Sequence, residues 1–434
     1  MRNLRKTKVI AAFAAILFTG QFVFAQSTDA LGTFTPYSVF GIGDLNKSGT
    51  ALNKAMGGIG VGLRDNRLIN FMNPAALTER DPQSFMMDFG LNQKNIYTSG
   101  DSKTSAFNVF NMHHFVITSP LYKKSAIAAG IVPFSSVGYK FEERETNPVI
   151  INEMGEIKYR RYGTGGITKA FVSASMDLFK DFSIGAEGIN YFGTIDRYSD
   201  VLFVTNSTYR TINTGMDYVV SSMAAKFGLQ YHKEVKKDTE LTIGATWLTG
   251  TKLKGDLTKY AYATGATGVR DTVYHNVSED TQMEIPSELG VGVTLRKKDK
   301  WLVGADYIRQ DWSSVSFGST PGVDFSPAVS NSFRVGFEYI PNRYDIRYYA
   351  RRVTYRGGAY YENTYMKVNS NQINSMGITF GATLPVLRLY NGLGLSVDMG
   401  QRGSLKNNLI RERYVMFNIS FSLHDIWFIK YRYD

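Results

Sequence analysis

The residues that could do chemistry in this chain are few and scattered. Its imidazoles are His113, His114, His232, His275 and His424, and it has no cysteine. Without a thiol there is no cysteine nucleophile, thiolate metal site, disulfide framework or lipidated N-terminal cysteine. His113 and His114 are adjacent, and neighbours on a strand face opposite sides, so the pair is not expected to share a ligand. No HExxH, nucleophile elbow or phosphate loop occurs, and the serines and histidines form no local pattern. The sequence therefore predicts no enzyme, no metal site and no cofactor. The run Met56-Gly57-Gly58-Ile59-Gly60-Val61-Gly62 has the glycines of a dinucleotide loop but none of its βαβ context. Glycines there more simply let the backbone fold tightly in a confined space.

Six ionisable residues are placed more tellingly. Glu187, Lys226, Asp306, Arg334, Glu338 and Asp398 each lie on the polar side of a stretch that alternates in polarity. Such groups either form a ladder of ion pairs that holds an interior together or line a polar conduit. Both readings need strands to put them on one inner face.

Those strands are visible. Val415, Phe417, Ile419, Phe421 and Leu423 alternate with Met416, Asn418, Ser420 and Ser422. The same period of two runs through Leu393–Gly400, Met376–Leu384 and Phe333–Tyr339. One face is apolar or aromatic and the other small, polar or charged. A soluble sandwich would turn the apolar face inward, whereas a membrane barrel turns it out to lipid. Tyr231, Trp247, Trp301, Trp312, Tyr339 and Tyr355 fall near expected strand ends, where a barrel carries its aromatic belt.

Composition agrees. The 434 residues are 14% aromatic, with 41 glycines and 11 prolines, a mix that favours strands over helices. Arg2, Arg5, Lys6 and Lys8 precede an apolar run, Val9–Phe18, and Val23-Phe24-Ala25 suits a cleavage site, so residues 1–25 are expected to be an export signal. Its removal takes four cations and no carboxylate, lowering the formal charge from +11 to +7. That surplus is modest and dispersed, which argues against nucleic acid as a partner. No later stretch holds eighteen consecutive apolar residues, so any membrane crossing must be by strands.

Connection lengths also alternate. Short ones are expected at Lys180-Asp181, Lys233 to Thr239, Lys297 to Lys300 and Pro341 to Tyr344. Long polar ones are expected at Phe141 to Gly163, Arg197 to Asp217, Lys254 to Glu284 and Gly357 to Asn371. Tight turns on one side and long loops on the other mark an outer-membrane barrel. From Phe85 onward the count predicts an all-β fold, a transmembrane antiparallel barrel of about 14 strands. Whether residues 425–434 form a strand or a tail stays open. Residues 26–83 do not alternate and are expected to plug the lumen of a barrel spanning 84–434.

Gly57-Gly58 followed by Asn73-Pro74-Ala75, ahead of such a barrel, resembles the FadL-type outer-membrane transport family. Gln310-Asp311-Trp312, Tyr355-Arg356-Gly357-Gly358 and the ending Trp427-Phe428 are similar to a branch of it. The resemblance implies an N-terminal hatch, with Asn73, Pro74 and Ala75 in its motif, and hydrophobic ligands that enter from outside and leave sideways through a break in the wall. It also implies an alternative, since barrels of this kind are recruited as docking subunits of secretion or membrane-protein assembly complexes. The expected surroundings are outer-membrane lipid. The expected partners are a hydrophobic ligand on the first reading, and on the second other envelope proteins met through the loops or the periplasmic face. Tyr360, Tyr361 and Tyr365, in the expected loop after Arg356, are candidates for such contacts.

Overall fold

In the computed structural model, residues 32–426 are described, apart from 81–83, 101–103, 123, 207, 266–267, 279–282, 318–322 and 387–391. The expected export signal and the segment 427–434 lie outside the described residues. Among the described residues no helix is long and apolar enough to cross a membrane.

Fourteen antiparallel strands form a closed ring. They are β1 (Ser84–Ser99), β2 (Thr104–Tyr122), β3 (Ser125–Ser136, continued by Tyr139–Arg144), β4 (Ile157–Phe179), β5 (Phe182–Phe203), β6 (Thr211–Lys236) and β7 (Thr239–Leu248). The second half comprises β8 (Glu288–Lys297), β9 (Trp301–Asp311), β10 (Val329–Tyr339), β11 (Thr354–Val368), β12 (Asn371–Pro385), β13 (Gly392–Arg402) and β14 (Arg411–Ile426). Each pairs with the next, and β14 closes on β1 from Ser84↔Ile426 to Ser99↔Arg411. Closure is obligatory in lipid, because each unpaired backbone group there costs several kcal/mol.

The alternation falls as the sequence predicts. On β10 Phe333, Val335 and Phe337 are exposed, while Ser332, Gly336 and Glu338 face inward. Tyr231, Trp247, Tyr339 and Tyr355 stand exposed near strand ends. Trp312 does not join them. It is fully buried, 4.7 Å from the Tyr365 ring and 6.3 Å from Phe317.

Two expected connections are corrected. Gly357 to Asn371 is not a loop: β11 runs through it and turns only at Asn369-Ser370, both at positive φ. Tyr360 and Tyr365 therefore point into the lumen, buried. Conversely, the short turn expected at Pro341 to Tyr344 continues to Val353 and ends in a helical turn, Tyr349–Arg352. Elsewhere the long-loop end is mostly strand. β4, β5 and β6 are 23, 22 and 26 residues long, well beyond the roughly 9–11 that cross a bilayer. Beside them a hairpin of Leu257–Thr264 and Arg270–Ser278 extends β6.

The wall is irregular at one place. β2 pairs with β3 only from Phe115 to Tyr122, so no described strand lies beside Thr104–His114 on that side. A bulge at His113, opposite Gly90-Leu91 of β1, bends β2 where the pairing stops. Beyond it β3 pairs instead with Asp44-Leu45 of the N-terminal segment.

Val335 lies mid-strand on the outer face. Val335→Arg is expected to destabilise the barrel by about 2–4 kcal/mol at bilayer depth, with Val335→Leu near neutral. Reversible urea unfolding in lipid vesicles measures both, and equal stability would place that face away from lipid.

Candidate functional site

Residues 32–80 lie inside the ring and are largely buried. Thr35 caps a 3-10 turn, Pro36–Val39, and Thr50 with Asn53 forms a capping box for a short helix, Ala51–Ala55. The helix ends at Met56, and Gly57 and Gly58, at φ +68° and +85°, reverse the chain as no β-carbon-bearing residue would at low cost. Asn73-Pro74-Ala75 opens a second 3-10 turn, Pro74–Thr78. The Asn73 amide does three things there: its oxygen accepts from Ala75 N–H at 3.0 Å, and its nitrogen donates to Val61 O at 2.8 Å and to Leu229 O of β6 at 3.3 Å.

The segment touches the wall backbone to backbone. A Cβ on Gly336 of β10 would lie 2.5 Å from Met56 O, and on Gly292 of β8 2.7 Å from Gly62 N. On Gly244 of β7 it would overlap Val61 O, and on Gly358 of β11 the backbone of Met56-Gly57. These inner-face glycines pair across neighbouring strands, Gly292 with Gly244 and Gly336 with Gly358. Thr379 of β12 completes the seat, donating to Ala55 O at 2.9 Å and accepting from Gly57 N–H at 2.8 Å.

All six ionisable candidates face inward, and four of them hold the segment. Asp306 accepts from Gly60 and Val61 N–H at 2.6 and 2.8 Å. Arg334 donates to Gly58 O at 3.1 Å. Glu338 bonds Arg356 of the wall at 2.6 Å and approaches Arg67 of the segment at 3.5 Å. Asp398 accepts from Lys47 at 3.2 Å and from Tyr360 OH at 2.8 Å. Glu187 instead pairs within the wall, with Lys169 at 2.6 Å. Lys226 lines a cavity of about 190 Å³ shared with Glu288, Gln310 and Arg334.

The partner charges inside the segment carry no alternation to reveal them, and sequence reasoning missed them. Arg402 of β13 is gripped by Asp44 at 2.5 Å and by Glu412 at 2.6 Å. Asp65 bridges Arg67 at 2.6 Å and Arg296 at 2.9 Å. Arg64 reaches Glu79 at 2.9 Å and Ser183 of β5 at 2.9 Å. His113 and His114 correct the alternation rule: the bulge lets both rings turn inward, with their Nδ1 atoms 2.7 Å apart. His114 Nε2 bonds Asp88, and His113 Nε2 lies 3.3 Å from Lys47 O. Among the described residues no group of three or more His, Cys, Asp or Glu could hold a metal.

At the long-loop end an open apolar cavity of about 740 Å³ lies between the segment and the raised strands. Tyr37, Phe40, Phe141, Tyr198 and Tyr260 line it, with Arg161, Arg197 and Lys259 among its cations.

A family model described as BamG matches residues 6–434. No curated protein matches the sequence. Among solved structures the toluene transporter TbuX of Ralstonia pickettii superposes with TM-score 0.58 at 17% identity, over 87% of this chain and 98% of that one. The toluene transporter TodX of Pseudomonas putida gives 0.59 at 14%, over 88% and 100%. A FadL homologue of Pseudomonas aeruginosa gives 0.51 at 13%, over 89% and 100%. At such identities the likeness is one of fold.

Gly358→Ala is expected to unseat the N-terminal segment, costing about 1–3 kcal/mol through overpacking and opening the segment to limited proteolysis. Gly188→Ala, with nothing within 4 Å of the added carbon, serves as the near-neutral control. Asp306→Ala leaves two buried N–H groups without their acceptor, at about 1–3 kcal/mol each. Protection of the segment unchanged in both Gly358→Ala and Asp306→Ala would refute the seat described.

Proposed function

Because the chain belongs to the BamG family, we propose that it is a plugged barrel subunit of an outer-membrane protein-assembly complex, a docking platform that conducts nothing through its lumen. On this reading the export signal is removed near Ala25, the barrel sits in the outer membrane with its tight turns in the periplasm, and residues 26–83 are a fixed hatch.

The observation that carries the proposal is the way the hatch is held. Its backbone lies against wall glycines on several strands, and its charged groups are shared with wall strands as far apart as β8 and β13. Withdrawing it would take from Asp306 both of its backbone donors, from Arg296 its partner Asp65 and from Arg402 one of its two carboxylates, and breaking one buried pair typically costs about 3–5 kcal/mol. A hatch that moves for each solute needs weaker and fewer anchors. The lumen candidates Asp306, Arg334, Glu338 and Asp398, with Gly57, Gly58 and Asn73-Pro74-Ala75, are then structural fasteners.

A second reading, passage of a hydrophobic molecule, draws on the apolar cavity at the long-loop end and the interrupted wall beside β2. Burying apolar surface there would stabilise a ligand by roughly 25 cal/mol per Å².

Purification of the tagged chain from its native membrane in mild detergent is expected to recover a protein partner in near-stoichiometric amount. The purified barrel in vesicles is expected to pass toluene and ions no faster than empty vesicles do. A solitary barrel that carries an apolar ligand and accelerates toluene flux would overturn the docking reading in favour of transport.

A further inference from the structure

The connection between β10 and β11 breaks the pattern of its end of the barrel. Three of the turns there are two or three residues long and contain lysine: Lys180-Asp181, Lys237-Asp238 and Lys298-Asp299-Lys300. Ile340 to Val353 is instead a folded knob. Asp345 organises it, accepting from the backbone N–H of Arg347 at 2.9 Å and Tyr348 at 2.7 Å and from Arg351 Nη1 at 3.2 Å. Asn342 N–H donates to Arg351 O at 2.8 Å and closes the loop. Two braces fix the knob to its neighbours. Arg343 and Tyr344 OH reach Asp299 at 3.2 and 3.3 Å, and Tyr349 OH donates to Pro385 O at 3.0 Å. The Tyr348 N–H, foremost among its partners, holds the Asp345 carboxyl below its usual range, so the carboxylate that organises the knob stays charged at neutral pH.

This rigid element presents the wrong residues for a mere turn. Ile346 at its tip is 98% exposed, flanked by exposed Tyr344, Tyr348 and Tyr349. Four arginines stand against one aspartate in the segment, and Arg347 and Arg352 have no carboxylate partner among the described residues. Arg351 and Arg352 lie 4.8 and 5.1 Å from the rings of Tyr348 and Tyr349, which restrains the planar cations at low entropy cost. Tyrosine and arginine around a buried apolar anchor is the composition of an interface centre, and preorganisation lowers the cost of binding.

Resting on the docking reading above, we infer that the knob Ile340–Val353 is a docking site for an acidic periplasmic protein domain, which receives Ile346 in an apolar recess and pairs its carboxylates with Arg347 and Arg352. Tyr and Arg also anchor barrels in headgroups, but that belt is already supplied beside the knob by Tyr339 and Tyr355, both exposed at the strand ends. The bracing Asp299 also faces Arg67 of the hatch at 3.8 Å, which fastens the knob on the lumen side of the rim and not toward lipid.

The test uses the full-length tagged chain in its native membrane. Ile346→p-benzoylphenylalanine is expected to give, on irradiation, a cross-link to an Asp/Glu-rich stretch of the partner's periplasmic portion. The double variant Ile346→Asp, Arg347→Glu is expected to lose at least tenfold in partner recovery while keeping the heat-modifiable gel mobility of a folded barrel. Val149→Asp, at an exposed site on the opposite end, is expected to leave recovery unchanged. Phospholipid adducts alone, or undiminished recovery in the double variant, would overturn the knob as docking site and leave the docking reading standing. Absence of any partner from the wild-type preparation would defeat the docking reading itself and the knob proposal with it.

Discussion

Much of this structure follows from one steric condition: the N-terminal segment lies against the barrel wall with no side chain between the two backbones. Gly244, Gly292, Gly336 and Gly358 occupy inward positions where a β-carbon would strike Val61, Gly62 or Met56-Gly57. A wall of fourteen strands encloses more space than its own side chains fill. A segment of some fifty residues can fill it only where the wall lacks side chains and the segment itself lacks bulk, as at Gly57. The hydrogen bonds that Asp306 and Thr379 accept from the backbone N–H groups of Gly60 and Gly57 then become possible, because the segment already lies at contact distance.

The same closeness decides what the inner charges do. In an aqueous channel, carboxylates and guanidinium groups keep their hydration and attract passing ions. Here Asp65, Arg67, Arg296, Glu338 and Arg356 have exchanged water for one another, in a network that begins on the segment and ends on the wall. Such a network is weak evidence for added stability, since desolvation offsets much of the attraction. Its stronger consequence is positional. A shifted segment would part Arg296 from Asp65 and Glu338 from Arg67, so the network selects one placement of the segment over its neighbours.

Those physical facts also sort what was legible in the sequence from what was not. A wall with lipid on one side and a polar interior on the other must alternate, so the strands and the inward placement of Glu187, Lys226, Asp306, Arg334, Glu338 and Asp398 could be read from period alone. The stretch from Gly357 to Asn371 was expected to be a long polar connection, whereas Gly358 lets the wall of β11 meet the segment. The bulge at His113 was invisible because one extra residue cancels the rule that neighbours diverge. Trp312 looked like belt and is packed with Tyr365, since a strand end near a loop can turn inward as well as out. The charges of residues 32–80 had no period to give them away, as their conformation is imposed by the wall and not by a local repeat.

On the docking reading the barrel interacts through its ends, and the two ends are built differently. On the long-loop side β4 to β6 rise well past bilayer depth and enclose an apolar cavity with the start of the N-terminal segment. On the tight-turn side the sequence need only reverse direction, and two or three residues suffice wherever nothing more is asked, as at Lys180-Asp181. The connection after β10 uses many more and then spends hydrogen bonds to Asp345, Asp299 and Pro385 on holding them in one shape. An unrequired excursion in a barrel tends to be loose and polar, because nothing repays the entropy of ordering it. Here the excursion is ordered, and the ordering displays an isoleucine to solvent. Exposing Ile346 yields nothing to the isolated barrel, and the docking surface proposed above is the interaction that would compensate for it.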